Sequence, residues 1–346
     1  MTKARDIADN AGKAGGGGGV NVIVNGAMNL SQRGTSFASV GNVYTLDRFQ
    51  FYKQNSGAAF TVSQSSVTDL AGFGNALKVD CTTADTSLAS NEQAYVSHKL
   101  EGQDLQRFQK GHATALGFTL SFYVKTNKTG IYTVSMFDRD NTRKVNGLYT
   151  VADTNWNRYT INFPADTIGK FDDDNASSLE IFFNLYAGAD TNTGTLKTTW
   201  AASTDAGSTT GQVNFADSTS NDWEITGIQL QTGDEATDFE HEIISVTQKK
   251  CYRYYYKSAG YTLGLANATT AGFSYREERT QMHSFPAGQM RTTPALTAVT
   301  GIQSLSNGGV MVYGGLDHVV AYSDYYGGDL PSANYWYGGY TADAEL

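Results

Sequence analysis

Charged residues and proline are scarce in this sequence. Only 17% of its 346 residues are Asp, Glu, Lys or Arg and 4 are proline, whereas glycine alone contributes 37. Helices favour Glu, Lys, Ala and Leu, so a chain rich in Gly, Thr, Ser, Asn and Tyr suits short strands joined by tight turns. The composition therefore predicts an all-β protein.

Cysteines and long apolar segments are also few. Cys81 and Cys251 are too few for a disulfide scaffold, and no Cys/His spacing indicates zinc. No run of about 18 apolar residues is present, which excludes a membrane-spanning helix, and the start of the chain lacks the apolar core of a signal peptide. We therefore expect two buried thiols and synthesis in the cytoplasm.

Positive charge is in the minority, since the net charge is −9 and the pI is near 5.0. Nucleic-acid binding needs a face rich in Lys and Arg. One basic cluster, Lys249, Lys250, Arg253 and Lys257, is interleaved with tyrosines, a combination that can bind single strands. In an acidic β protein a solvated strand or helix face is the favoured interpretation, and we expect no nucleic-acid partner.

The N-terminal segment is predicted to be a docking arm. Residues 2–12 place Ala4, Ile7, Ala8 and Ala11 at helical spacing, but so short a helix is not stable alone in water. Five consecutive glycines, residues 15–19, then form a flexible tether. Residues 1–19 are therefore either an arm that a partner orders or a simple disordered terminus.

Alternating apolar residues predict strands from residue 20 onwards. The alternating segments are residues 118–124, 132–136, 159–163, 179–185 and 223–230. In the last of them the alternation shifts by one residue at Gly227, which indicates a bulge. Strands at this spacing are typical of a β-sandwich or jelly roll. Residues 187–221 are poor in large apolar side chains and are predicted to be mostly a long surface loop.

A domain boundary is predicted near residues 240–250. There the sequence changes to a short helix, with Ile243, Val246 and Thr247 facing inward, followed by a strand rich in tyrosine. We expect residues 20–242 to form the sandwich and residues 243–346 to form a second, small β module rich in Tyr and Gly.

Three segments of the chain resemble a group of bacteriophage tail-fibre and tail-spike proteins, of the type found in marine phages. The segments are VNVIVNGAMNLSQRGTSF with YTLDRFQF (residues 20–37 and 44–51), WEITGIQLQTGDEATDFEHE (223–242), and KKCYRYYYK with FPAGQMRTTPALT (249–257 and 285–297). In the first segment Phe49 stands where the group commonly has Trp.

The resemblance implies a virion structural protein whose jelly roll is similar to a carbohydrate-binding module. It further implies a homotrimer, attachment to other virion proteins through the N-terminal arm, and recognition of a host-surface glycan or receptor. It does not imply that sugar binding is retained, because such folds keep their architecture while the ligand varies.

Two clusters are candidate binding residues. The densest group of oxygen ligands is at residues 172–175, where Asp172 and Asp174 would hold a structural Ca²⁺ or form a solvated turn; no other cofactor is expected. The C-terminal stretch supplies flat aromatic rings in Gly-rich loops, which suit sugar or receptor contacts, or the packing of an interface or a small core. These candidate receptor-binding residues are Tyr322, Tyr325, Tyr326, Tyr335, Trp336, Tyr337 and Tyr340.

Catalytic patterns are missing from the sequence. The five histidines are scattered and lie in no hydrolase motif, and the acidic pairs cannot be placed in one cleft from sequence alone. The leading hypothesis is a non-enzymatic tail fibre or spike, located in the virion after assembly in the host cytoplasm. The alternatives are a capsid-surface decoration fibre and a polysaccharide-degrading tailspike.

Overall fold

The computed structural model describes the backbone of residues 20–258, 263–267, 280–284, 290–299, 310–314, 318–323 and 334–346. Side chains are described for residues 20–258, 290–297 and 340–346. The predicted arm, with Ala4, Ile7, Ala8 and Ala11, lies outside these ranges. The chain divides into two compact units, Met1–Ile243 together with Leu346, and Ile244–Glu345.

The first unit consists mainly of strands. In chain order they are β1 (Ser36–Phe37), β2 (Val43–Tyr44), β3 (Phe49–Gln54), β4 (Ala59–Ser66), β5 (Asn75–Thr83), β6 (Gln93–Glu101), β7 (Phe118–Thr126), β8 (Gly130–Asp138), β9 (Arg143–Val151), β10 (Asn157–Phe163), β11 (Ser177–Ala187), β12 (Ala201–Ala202) and β13 (Asp222–Thr232). A one-turn helix, α1 (Gly102–Leu105), and 3-10 turns at Gln106–Phe108 and Phe215–Asp217 complete it.

Two antiparallel sheets pack face to face, in the orders β1-β4-β5-β13-β7-β10 and β12-β9-β8-β11-β6-β3-β2. The ring of Phe122 on β7 meets Phe183 of β11 and Tyr149 of β9 edge-to-face, with centroids 5.2 and 5.1 Å apart. The indole Nε1 of buried Trp223 donates to Tyr149 Oη at 3.2 Å. One hydrophobic core therefore fills the space between the sheets, and the all-β, jelly-roll prediction is confirmed.

The bulge predicted in β13 is present. The pairing of β13 with β7 shifts register between Thr226 and Gln229, and Gly227 has a φ of +63°, a conformation that favours glycine. Residues 187–221 are predicted to be mostly loop. Apart from Ala187, which ends β11, they contain the two-residue β12 and one 3-10 turn before β13 begins.

The entry segment, residues 20–51, carries the first part of the sequence resemblance. Its residues contact one another and strand β13. Asn25 Nδ2 donates to the carbonyls of Leu30 and Asp47 at 2.9 and 3.0 Å, and Gln32 Nε2 donates to Asp47 Oδ2 at 2.8 Å. At Gly26 an added Cβ would lie 2.1 Å from the Ile228 carbonyl oxygen. These residues hold the entry segment against the sandwich, so their role is structural.

A buried ionic network closes one end of the sandwich. The ammonium group of Lys110 lies 2.5 Å from Asp138 Oδ2, 3.0 Å from Asp166 Oδ2, and 3.2 and 2.6 Å from the Ile168 and Gly169 carbonyls. Burial raises the pKa of Asp166, but hydrogen bonds from Arg143 and Lys110 outweigh it and hold that pKa below its usual value. Each charge in the network is thus paired, as buried ions require.

The second unit begins with helix α2 (Ile244–Tyr252), and its described strands form two small sheets. These strands are β14 (Tyr255–Lys257), β15 (Leu263–Asn267), β16 (Thr280–Ser284), β17 (Ala295–Val299), β18 (Val310–Gly314), β19 (His318–Ser323) and β20 (Asn334–Asp343). Strand β20 pairs with β14, β15 and β17, while β19 pairs with β16 and β18. No helix among the described residues is long and apolar enough to span a membrane.

The inward face predicted for the boundary helix is partly wrong. Thr247 and Cys251, one helical turn apart, are the buried residues of α2, whereas Val246 lies on a different face and is exposed. Ile243 precedes the helix and is exposed as well. Cys81 and Cys251 are both buried, as expected.

Candidate functional site

The six-stranded sheet is covered on its outer side by the chain itself. Gln229 Nε2 donates to Thr237 Oγ1 at 2.8 Å, and the backbone N–H of Glu240 donates to Gln229 Oε1 at 2.8 Å. The ring of Phe239 packs against Phe73 with centroids 5.1 Å apart. Segment 233–242 therefore occupies this surface, which leaves the other sheet as the better place to look for a ligand site.

The seven-stranded sheet carries three rows of side chains that point away from the core. Alternate residues of β3, β6, β11, β8 and β9 belong to the core, so the residues between them lie on the opposite side. In register, the rows are Gln50, Ser97, Phe182, Ser135 and Asn146; then Tyr52, Tyr95 and Asn184; then Lys99, Glu180, Phe137 and Lys144. We call this set the outer face.

Two buried polar atoms in the first row lack a hydrogen-bond partner. They are Ser97 Oγ and Asn146 Oδ1, and their residues are 0% and 2% exposed. Three strand spacings separate them, which corresponds to about 14 Å. A buried polar group left unpaired costs about 1–3 kcal/mol. Both atoms are shielded from solvent, so a ligand would satisfy them only after their side chains turn outward.

Aromatic rings lie beside this row. Tyr52 and Tyr95 are stacked with centroids 4.7 Å apart and an interplanar angle of 10°, and Phe182 meets Tyr95 edge-on at 4.6 Å. Burial raises the pKa of Tyr95, and the Glu180 carboxylate raises it further, so the phenol stays protonated and can donate a hydrogen bond. Apolar rings next to directional polar groups are the ordinary composition of a sugar site.

Polar pairs order the middle of the outer face. Arg139 donates through Nε to Glu180 Oε2 at 2.9 Å, and its second guanidinium nitrogen contacts the same oxygen. The amide of Asn184 donates to Thr133 Oγ1 at 3.2 Å and to Ser135 Oγ at 3.4 Å. These contacts fix the side chains in place before any ligand arrives, which lowers the entropy that binding must remove.

The loop that follows β11 contacts strands β8 and β9 on the outer face. Gln212 Oε1 accepts from the Thr133 backbone N–H at 2.7 Å and from its Oγ1 at 2.8 Å, and Gln212 Nε2 donates to the Leu185 carbonyl at 3.1 Å. Asn146 Nδ2 donates to the Lys197 carbonyl at 3.0 Å. Residues 188–213 are therefore fastened to the β8 and β9 side of the outer face.

Of the receptor-binding residues predicted from sequence, the structure describes the side chain of Tyr340. The Tyr340 side chain is buried and packs against Tyr256 with centroids 5.7 Å apart, so its ring is not exposed in the single chain. The other predicted receptor-binding side chains fall outside the described ones; they are Tyr322, Tyr325, Tyr326, Tyr335, Trp336 and Tyr337.

The predicted calcium ligands form an ordinary exposed turn. The backbone N–H of Asp172 donates to Asp140 Oδ2 at 3.0 Å, and Asp174 Oδ1 accepts from the Ala176 N–H at 2.8 Å. Within the part of the chain that the structure describes, no group of three or more His, Cys, Asp or Glu residues is arranged to hold a metal ion. Calcium binding stays a prediction.

Comparison with known proteins gives remote structural neighbours. No family model matches the chain, and no curated protein matches it. A CBM22-1 xylan-binding domain from Paenibacillus barcinonensis Xyn10C is 13% identical with a TM-score of 0.29, covering 58% of this chain and 94% of that one. A family 11 carbohydrate-binding module of the Clostridium thermocellum cellulase Lic26A-Cel5E is 14% identical with a TM-score of 0.29, covering 59% and 96%.

A cyclase from Fischerella sp. TAU is similar to the same extent, with 9% identity, a TM-score of 0.35, and coverage of 63% of this chain and 100% of that one. The neighbours thus include both carbohydrate-binding modules and an enzyme. Their TM-scores and identities are too low to support any argument about what this chain binds, which has to come from the outer face itself.

Proposed function

We propose that this protein binds glycans, without catalysis, through the outer face of its seven-stranded sheet. The observation that carries the proposal is the row with unpaired, buried Ser97 Oγ and Asn146 Oδ1 beside the Tyr52, Tyr95 and Phe182 rings. Sugar hydroxyls both donate and accept hydrogen bonds, and apolar sugar faces pack on aromatic rings, so a glycan satisfies both features at once.

We further propose that glycan binding serves host recognition by a phage tail fibre or spike. The support is the order of the three sequence segments that resemble such proteins, at residues 20–51, 223–242 and 249–297. In this proposal the chain is a homotrimer whose N-terminal arm docks on other virion proteins. Cryo-electron microscopy of the particle would locate the subunit, and a position on the head instead of the tail would support a capsid decoration fibre.

The glycan proposal is tested with an array of microbial surface polysaccharides and the Ser97→Ala variant. Removing a hydroxyl that has no partner should leave stability unchanged or raise it by about 1 kcal/mol, yet weaken glycan binding by up to about tenfold. Thr226→Val is the matched control, because Thr226 Oγ1 is also buried and unpaired but belongs to the other sheet. Binding to no glycan, or equal effects of both variants, would refute the proposal.

The alternative function, a polysaccharide-degrading tailspike enzyme, is tested on the same polysaccharides. A glycosidase needs two carboxyl groups across the scissile bond, and the outer face holds Glu180 in a pair with Arg139. Incubation with each bound polysaccharide, followed by chromatography of the supernatant, should show no released oligosaccharide. Release that is abolished by Glu180→Gln would establish catalysis instead.

A further inference from the structure

We propose that the glycan bound by the outer face is acidic, and that Lys144 binds its carboxylate; the inference rests on the proposed function. Lys144 is on β9, in the same row as Phe137 and Glu180, and contacts the loop at residues 188–213. Its ammonium lies 5.8 Å from the centre of the Phe137 ring and 3.4 Å from Ser208 Oγ.

Among the described residues, the ammonium group of Lys144 has no carboxylate oxygen within 4.0 Å, and the Asp205 charge acts on it from a greater distance. Lys78, Lys125 and Lys128 each have a carboxylate oxygen within 4.0 Å, whereas Lys144 has none. Burial lowers its pKa, the attraction of Asp205 opposes that shift, and repulsion from Lys197 adds to it. A half-buried ammonium with one long hydrogen bond destabilises the free protein, and a bound anion would relieve that penalty.

Two groups near Lys144 bear on this inference: the Arg139 guanidinium, which is paired, and the Asn146 amide oxygen. Arg139, whose guanidinium also lies near the Phe137 ring, is engaged by Glu180, so Lys144 is the cation of this pair left for a ligand. Two residues along the same strand, about 7 Å away, Asn146 Oδ1 is an unpaired acceptor. A uronic acid unit carries a carboxylate for this cation, and its hydroxyl donors would reach Asn146 Oδ1 only after that buried side chain turns outward.

The probes are microbial polysaccharides that contain uronic acids, arrayed in native form and after chemical reduction of their carboxyl groups to alcohols. Wild-type protein should bind the native forms at least tenfold more tightly than the reduced forms, which keep the same backbone and linkages. Lys144→Met should abolish that preference while Lys144→Arg retains it. Lys125→Met, which removes a lysine of the other sheet, is the matched control and should change nothing.

The stability of the same variants separates a ligand contact from a structural one. Lys144→Met keeps the side-chain stem and removes an unpaired charge, so it should melt at the same temperature or higher. Equal binding of native and reduced glycans, or unchanged binding by Lys144→Met, would overturn the acidic inference while the proposed glycan function stands. Failure to bind any polysaccharide would instead overturn the proposed function.

Discussion

His98 is held neutral inside the sandwich. Its Nε2–H donates to the Val24 carbonyl at 3.2 Å, and its ring meets Phe49 edge-on at 5.0 Å. Burial, and then the nearby Arg48 charge, lower the pKa of His98 to about 3 from its usual 6.5. Between these two values the unfolded chain binds a proton that the folded chain does not, so stability is complete above pH 6.5 and falls as the pH decreases.

We therefore expect the unfolding free energy to drop by about 2 kcal/mol between pH 6.5 and pH 5 through this residue. His98→Gln keeps an N–H donor for Val24 but cannot titrate. The unfolding free energy of this variant should therefore fall less than that of wild type between pH 6.5 and pH 5, by about the same 2 kcal/mol. Urea denaturation of both proteins across this range measures the difference. Identical pH dependence in the two proteins would show that His98 is not the titrating group.

Gly26 sets the distance between the entry segment and β13. Because an added Cβ would lie 2.1 Å from the Ile228 carbonyl oxygen, Gly26→Ala should reduce stability by about 1–3 kcal/mol. Gly41→Ala is the control, since nothing lies within 4 Å of its added Cβ. Thermal unfolding should distinguish the two variants, and equal melting temperatures would contradict the close approach.

Among the elements, the loop at residues 188–213 is attached to the sheet by several hydrogen bonds, and the Gln212 side chain makes a buried group of them. Gln212 makes three hydrogen bonds to the sheet, two of them to Thr133. Gln212→Ala should leave these buried groups unpaired, reduce stability by about 2–3 kcal/mol, and open the loop to limited proteolysis. The control Thr198→Ala changes an exposed residue of the same loop and should be cleaved no faster than wild type.

The strands could be predicted from sequence, but the outer face could not. Alternation of large apolar residues located β7, β8, β10, β11 and β13, because the buried side of a strand must be apolar at every second position. Ser97, Asn146 and Glu180 occupy the other positions, which look like ordinary solvent-facing sites. Their proximity depends on strand register and order, which a single sequence does not contain. The one local signal was aromatic and amide residues, such as Phe182 and Asn184, at outward positions.

The whole molecule is expected to be a trimer, a prediction that comes from the resemblance to fibre proteins. On α2, Ile244 and Val246 are 49% and 42% exposed, and exposed apolar side chains are what a subunit interface covers. Light scattering should give about three times the chain mass of 37.3 kDa. Replacing both residues by Glu should shift the mass towards one chain without unfolding; a stable wild-type monomer would contradict the prediction.

Lys110 supplies a positive charge at the centre of four oxygen atoms, two from Asp138 and Asp166 and two from the backbone. Carboxylates and carbonyls of this kind are also the ligands that hard metal ions take. A metal ion exchanges with the medium, whereas this ammonium is joined covalently to the chain. The ionic network around Lys110 should therefore stay intact in chelating or ion-poor water.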